Sequence, residues 1–216
     1  MFQRDYVLRL IEQFARAVTR VIGLRKQGEP AAAHAELAAL TQSFLGINAK
    51  LLFSLTDVQL LSLFTVGDAL DSGRAVLAEQ ILVEEAAIQD ALSAPELAET
   101  YRLRGLSLLL EVLARDPLFR TSEYTADLNQ LLEDAGDELP ASHHLKLFRY
   151  FAATGRYADA ENLLFELVES GVREAVAEGF AFYERLLTLE DAELARGNLP
   201  RREVEEGIAQ LRKLGI

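Results

Sequence analysis

Apolar side chains recur every three or four residues along this chain, and no stretch alternates apolar and polar positions for the length of a strand. That 3.6-residue period predicts α-helix throughout. The clearest stretch runs from Leu145 to Gly171. Leu145, Phe148, Tyr150 and Phe151 recur at helical spacing, and Leu147 widens the stripe. Gly155 ends this helix, because a residue without Cβ takes positive φ cheaply. Beyond it Ala158, Ala160, Leu163, Leu164 and Leu167 mark a second helix folded back on the first. Small Ala160 lets the two approach closely, Tyr157 wedges into the mouth, and Ser170-Gly171 closes the pair.

The rest reads in the same way. Residues 4–26 form a long helix with Asp5, Arg9, Glu12, Arg16 and Arg20 on one face and Val7, Ile11, Phe14, Val18 and Ile22 on the other. Its apolar arc is about 200° wide, against the ~100° of a surface helix, so one neighbour cannot cover it. Helices on two sides, a second subunit, or a membrane surface or regulatory partner would. Gly28 stops this helix and Pro30 opens the next, with Ala33, Leu37, Leu40 and Phe44 on one face. Gly46 to Ser54 predicts a loop and one or two helical turns. Thr56-x-x-Gln59 is a capping box starting a helix through Leu70, with Val58, Leu61, Phe64 and Val66 for burial. Asp71-Ser-Gly73 reads as the turn before a helix to Leu92 that buries Leu77, Ile81, Leu82 and Ile88.

Ser93 as cap, with Pro95 and Glu96, starts a helix through Ala114, and Asp116-Pro117 breaks it. Thr121 or Ser122 caps a helix to about Asp134, with Tyr124, Leu128, Leu131 and Leu132 inward; Gly136 ends it and Pro140 helps start the next. Val172 to about Ala195 reads as one helix, Gly197 to Pro200 as the last turn, and Arg201 to Leu214 as a final helix burying Val204, Ile208 and Leu211. The whole predicts an all-α fold: one helical-repeat domain, 1–216, of about ten helices in five antiparallel hairpins near 4–45, 56–92, 95–135, 138–171 and 172–215.

Gly155-Arg-Tyr157-Ala-Asp-Ala160, with Leu164 four residues on, resembles the Gly-x-Tyr-x-x-Ala turn of a tetratricopeptide repeat. The resemblance implies stacked helical hairpins and a concave partner-binding face. It covers half a motif, since His144 and Phe148 stand where that family favours Trp and Gly. The turns here fall 38 to 45 residues apart, against about 34 in regular arrays, so the superhelix is irregular. The opening FQRDYVLRLIEQFARAVTRVIGL also resembles the start of an uncharacterised bacterial all-helical family, which implies no known activity.

Composition narrows the function classes. The net charge is −12, which argues against nucleic acid, since neutralising phosphates takes Lys and Arg. Residues 1–26 carry six basic and two acidic side chains, so a basic first helix sits on an acidic body and is attracted to it or to a second subunit. No Cys is present, which leaves no disulfide, thiolate ligand or Cys nucleophile. No apolar run is long enough to span a membrane, and the first residues lack the h-region of a secretory signal. A cytoplasmic protein is expected.

Candidate chemistry is thin. Adjacent His143 and His144 diverge by about 100° on a helix and cannot easily share a metal, and His34 lies in another repeat. The acidic clusters Glu84-Glu85, Glu133-Asp134, Glu190-Asp191-Glu193 and Glu203-Glu205-Glu206 read as solvated helix faces, because nothing in the sequence aims two of them at one cleft. No nucleotide, metal or nucleophile motif appears, so no cofactor and no catalytic residue is assigned. If first helices of the hairpins line a concave side, Ala15, Val18 and Ile22, then Leu60, Leu63 and Gly67, then Leu145, Arg149 and Ala152 face it. So apolar a face suits an amphipathic helix or a second copy better than a carboxylate. The expected role is a non-enzymatic scaffold that binds a protein partner or itself, with a homodimer through helix 4–26 as one form. Phe14, Val18, Ile22, Leu60, Leu63, Leu145 and Arg149 are its contact candidates. The alternative is a ligand-sensing helical module with an internal pocket lined by Phe and Tyr.

Overall fold

The helical period becomes helix almost everywhere. The computed structural model describes residues 2–135 and 139–214, with the side chains of all but residues 2–6, Ser122 and Thr125. Among the described residues lie α1 (Phe2–Lys26), α2 (Pro30–Leu45), α3 (Ala49–Ser54), α4 (Asp57–Leu63), strands β1 (Thr65–Val66) and β2 (Ala69–Leu70), α5 (Ser72–Ala91), α6 (Pro95–Arg115), a 3-10 turn at Pro117–Phe119, α7 (Ser122–Ala135), α8 (Ala141–Thr154), α9 (Tyr157–Glu169), α10 (Arg173–Leu187), α11 (Asp191–Arg196) and α12 (Arg201–Leu214). The fold class is all-α. Gly136, expected to end α7, lies outside the described residues. No described helix is long and apolar enough to cross a membrane. The chain divides into two compact units, Met1–Gly136 and Asp137–Ile216.

In the first unit α5 is the hub. It runs along α6 and also packs on α1 and α2, and twelve of its 20 residues are buried. The wide apolar arc of α1 is covered on two sides, by α2 and α5. Ile11, Phe14 and Val21 are buried there, and Phe14 meets Phe44 edge-on at 5.4 Å. Each such side chain removed from water contributes about 1.5–3 kcal/mol. On α2 the buried stripe is Ala33, Leu37, Thr41 and Leu45, shifted one position from Leu40 and Phe44. Thr41 is tolerated inside because its hydroxyl donates to Leu37 O at 2.8 Å.

Several local expectations are corrected here. The Thr56 helix has its capping box but ends at Leu63. β-Branched Thr65 and Val66 then pair with Leu70 and Ala69 across Gly67-Asp68, a two-residue hairpin loop opened by glycine at φ +61. Leu60 and Phe64 are the buried members, while Val58 and Val66 are 75% and 82% exposed. Gly73 is no turn: Asp71 caps α5 by accepting from Arg74 N, and Gly73 lies inside the helix where a Cβ would strike Val7. Ser93 does not cap α6. It takes φ +60, and Ala94 N reaches back to Gln89 O at 2.9 Å, so this residue closes α5 as a glycine ordinarily does. α5 therefore pairs with α6 and not with α4.

In the second unit, α8 and α9 form the expected hairpin. Gly155 takes φ +79 and Arg156 N closes on Phe151 O at 3.0 Å. α10 packs on α9 and on α12. The predicted helix from Val172 to Ala195 is interrupted at Thr188–Glu190. Arg201 makes the interruption affordable by donating to the freed Leu187 O and Leu189 O at 3.3 and 2.5 Å. Beyond α11, Gly197 sits against the α8–α9 corner, and its carbonyl accepts from Ala158 N at 3.0 Å.

A Cβ at Gly197 would lie 2.6 Å from Gly155 O and 2.2 Å from Cδ2 of Tyr157. Backbone cannot yield as a side-chain tip can. Gly197→Ala is therefore expected to destabilise the second unit by about 1–3 kcal/mol, read as a lower midpoint in urea denaturation. An unchanged midpoint would show that the corner is looser than its packing implies.

Candidate functional site

The sequence buries α5 on nearly every side, yet places carboxylates on it at Glu79 and Glu85. Each has to be satisfied or held neutral, since an ionised carboxylate in an apolar setting is costly. The two are treated differently.

Glu85 is 0% exposed and fully partnered. Its two oxygens lie 2.9 Å from Nδ1 of His34 on α2, and Gln89 Nε2 donates to Oε1 at 2.6 Å. A carboxylate on one ring nitrogen fixes the imidazole tautomer and leaves the other nitrogen as the available base. His34 lines a cavity of about 600 Å³ with Gln42, Asn48, Lys50, Phe53 and Tyr101. Phe53 and Tyr101 rings stand 5.4 Å apart. Arg104 donates to Phe53 O at 2.7 Å. Burial raises the Tyr101 hydroxyl, with Glu85 adding and Arg104 opposing.

Glu79 is 3% exposed, and its Oε2 has no hydrogen-bond partner; neither has Oε1 of Gln80 beside it. Both residues line a second cavity, of about 360 Å³, between α1, α5 and α7. Phe14, Val18, Val83 and Leu131 make its apolar wall, and Glu84, Glu123, Asp127 and Asp134 complete an acidic side. Glu84 is neutralised by Arg25 at 2.8 Å. Asp134 accepts from Gln130 at 2.9 Å. Burial first and Asp127 second hold the Glu79 carboxyl well above the ordinary Glu range. Asp127 is itself raised, by burial and then Glu123. Tyr124, in the adjoining turn of α7, is pushed up to about 12, mainly by burial, with Glu123, Glu79 and Asp127 adding. The site is thus a half-apolar recess with a buried carboxyl, raised above the ordinary range, at its floor.

The second unit holds a shallower cavity, also of about 360 Å³, lined by Phe148, Arg149, Ala152, Glu178, Phe182 and Arg185. Arg149 is engaged by both oxygens of Glu178, and Arg185 donates to Ala152 O at 2.6 Å. Deeper in this unit Tyr183 donates to Glu161 at 2.6 Å. Burial and that bond raise the tyrosine.

Of the sequence candidates, Phe14 and Val18 meet in one pocket, with Phe14 as a core residue at its back. Ile22, next along α1, is half-buried. Leu60 is buried and Leu63 half-buried in α4. In the second unit Leu145 is buried, and Arg149 reaches the cavity just described. The Glu84-Glu85 pair is no solvated face: Glu85 is enclosed and Glu84 is ion-paired. His143 is buried and His144 half-buried at the start of α8. Among the described residues no three His, Cys, Asp or Glu side chains are arranged to hold a metal ion. Sequence reasoning missed Glu79, Gln80 and Asp127. The available signal was a carboxylate interrupting the apolar run Val76-Leu77-Ala78 and Ile81-Leu82.

A carboxyl raised by burial keeps its proton when folded and loses it when unfolded over the pH range between the two pKa values. Stability from this group is therefore present below the unfolded value and falls as pH rises toward the folded one. Glu79→Gln, which cannot ionise, is expected to remove that decline. At pH 8 its Tm should exceed that of the parent by roughly 2–4 °C, the shift expected from about 1 kcal/mol in a chain of this length. Equal pH profiles for the two proteins would mean Glu79 is not held neutral.

Comparison with known proteins adds family membership and no activity. No curated protein matches the chain, and no solved structure does. The model of a family of unknown function, DUF6483, matches residues 1–215. A chain matched over so much of its length belongs to DUF6483.

Proposed function

We propose that this chain is a non-catalytic helical binding module that takes a small ligand into the recess between α1, α5 and α7. One observation carries the reading: oxygens of Glu79 and Gln80 that no described protein group satisfies are buried at a cavity with an apolar wall on one side and carboxylates on the other. Buried polar atoms ordinarily have partners, and small-ligand sites pair apolar walls with a few convergent polar groups. The cavity volume falls within the range such sites occupy. The setting we propose is cytoplasmic, with the α8–α9 corner as a tetratricopeptide-like element of the family fold.

The test is a thermal-shift screen of metabolite-sized compounds on the full chain. A saturating ligand at a hundred times its Kd stabilises by about 2.7 kcal/mol. Val18→Phe, which fills the recess from its half-exposed rim, is expected to abolish the shift while leaving the unliganded Tm within a few degrees. A library that moves neither protein would remove the reading.

A second reading, a scaffold that self-associates, is favoured by the exposure of Val58 and Val66 in adjacent elements of the first unit. Large apolar side chains left in water mark contact surfaces when they cluster. Sedimentation at micromolar concentration tests it: a dimer that becomes a monomer in the Val58→Asp, Val66→Asp double variant is the expected result. Both positions are exposed, so the substitutions leave the core intact.

A further inference from the structure

We infer that the α1/α5/α7 recess takes a small organic cation, a protonated amine or a guanidinium carried on an apolar stem. This rests on the binding reading above and names the ligand class. Three features point to it. The first is complementarity of hydrogen bonding: Gln80 Oε1 is an acceptor without a partner, and Glu79 Oε2 becomes one when the carboxyl ionises, so a ligand that satisfies both brings N–H donors. The second is charge. Acidic residues line the recess and, among the described residues, no Lys, Arg or His does. With Glu84 paired to Arg25, the field left uncompensated among the described residues comes from Glu123, Asp127 and Asp134 on α7. A carboxylate or phosphate ligand meets repulsion there. The third is the apolar wall of Phe14, Val18 and Val83, which replaces the hydration of an alkyl stem but not of a bare metal ion.

Among the described residues, the charged groups on the surrounding helices leave Glu79 without a cation of its own. From α2, His34 is engaged with Glu85 and Glu36 with Arg20. From α1, Arg25 is spent on Glu84. On α6, uncharged Gly105 faces Glu79: a Cβ there would lie 3.5 Å from the Glu79 main-chain oxygen. On α7, Asp127 faces Glu79 and raises it further, and Asp134 is engaged by Gln130. An entering ammonium or guanidinium supplies the missing positive charge. Glu79 then ionises, its proton leaves to solvent, and a charge-assisted pair forms in the recess. Binding is accordingly coupled to proton release. Affinity rises with pH through the raised range of Glu79, and levels once that group ionises without ligand.

Isothermal titration of the full chain with agmatine and butylamine, against butanol and butyrate as neutral and anionic shape controls, tests the inference. The expected result is binding of both cations at least tenfold tighter than butanol, with none for butyrate. At pH 7 the apparent enthalpy should differ between phosphate and Tris buffers, showing proton release. Glu79→Gln should weaken the cations tenfold or more and remove the buffer dependence. Glu133→Gln, on the exposed side of α7, should change neither. Butanol or butyrate binding as well as the cations, abolished by Val18→Phe but untouched by Glu79→Gln, would overturn the cation assignment and leave the pocket reading standing. Cation binding that Glu79→Gln and Glu133→Gln weaken equally would reduce it to attraction by the acidic chain as a whole, and overturn it too. No binding by any probe, together with a blank thermal-shift screen, would remove both.

Discussion

A helix enclosed on almost all sides has nowhere to leave a polar group unmatched, and that constraint organises the first unit. α5 packs on α1, α2 and α6 and supplies the buried row from Ala75 through Ile88. Hydrophobic burial along that row stabilises the unit, while the same enclosure forces each carboxylate on the helix to be partnered or protonated. Glu85 recruits His34 from α2 and Gln89 from its own next turn. Those bonds tie α2 to α5 at a defined rotation, since a carboxylate bound on both sides cannot slide by a turn. Arg25 and Glu84 do the same for α1. Packing brings the helices together, and these pairs select one register among the many that apolar contact alone would tolerate.

The second unit meets the same constraint with tyrosine. Tyr183 is fully enclosed, and its hydroxyl donates to Glu161 on α9. α12 reaches that bond because Gly207 has no side chain: a Cβ there would strike the Tyr183 hydroxyl. Tyr157 and Gly197 repeat the device at the α8–α9 corner. Aromatic rings thus bear on glycines of neighbouring elements at two points of this unit. Phe148 and Phe182 add an edge contact at 5.5 Å between α8 and α10. In this unit it is shape, more than charge, that fixes the approach of the helices.

What the sequence made legible follows from how local each cause is. Helix existence, the Gly155 corner, the Thr56–Gln59 box and the inward stripes of α7 and α12 depend on neighbours within about four residues, and all were readable. The Thr65–Leu70 hairpin was masked because four strand residues are too few to display a period. Gly73 and Ser93 were misread for a related reason. A glycine marks a turn or a close approach with equal ease, and only the position of Val7, 66 residues away, decides which. The pairing of α5 with α6 is a tertiary choice that local propensity does not encode. For the site, Phe14 and Val18 were visible as apolar positions on α1. Glu79 and Asp127 were not, since their significance arises when α5 and α7 face one cavity.

The contrast between the two buried glutamates on α5 carries the functional argument furthest. They share a helix, a residue type and near-complete burial, so neither propensity nor compartment distinguishes them. One has three hydrogen-bonding contacts from neighbouring side chains; the other has an unmatched oxygen. A leucine at position 79 would serve packing better, because an apolar residue of similar volume in place of a poorly compensated buried carboxyl is commonly neutral or stabilising. A group that fold stability disfavours, next to a cavity rather than in solid packing, is the kind of local conflict that stability alone does not account for and binding does. Glu85 shows what a structural carboxylate looks like in this helix. By that internal standard Glu79 is incomplete among the described residues, and the ligand we propose is what would complete it.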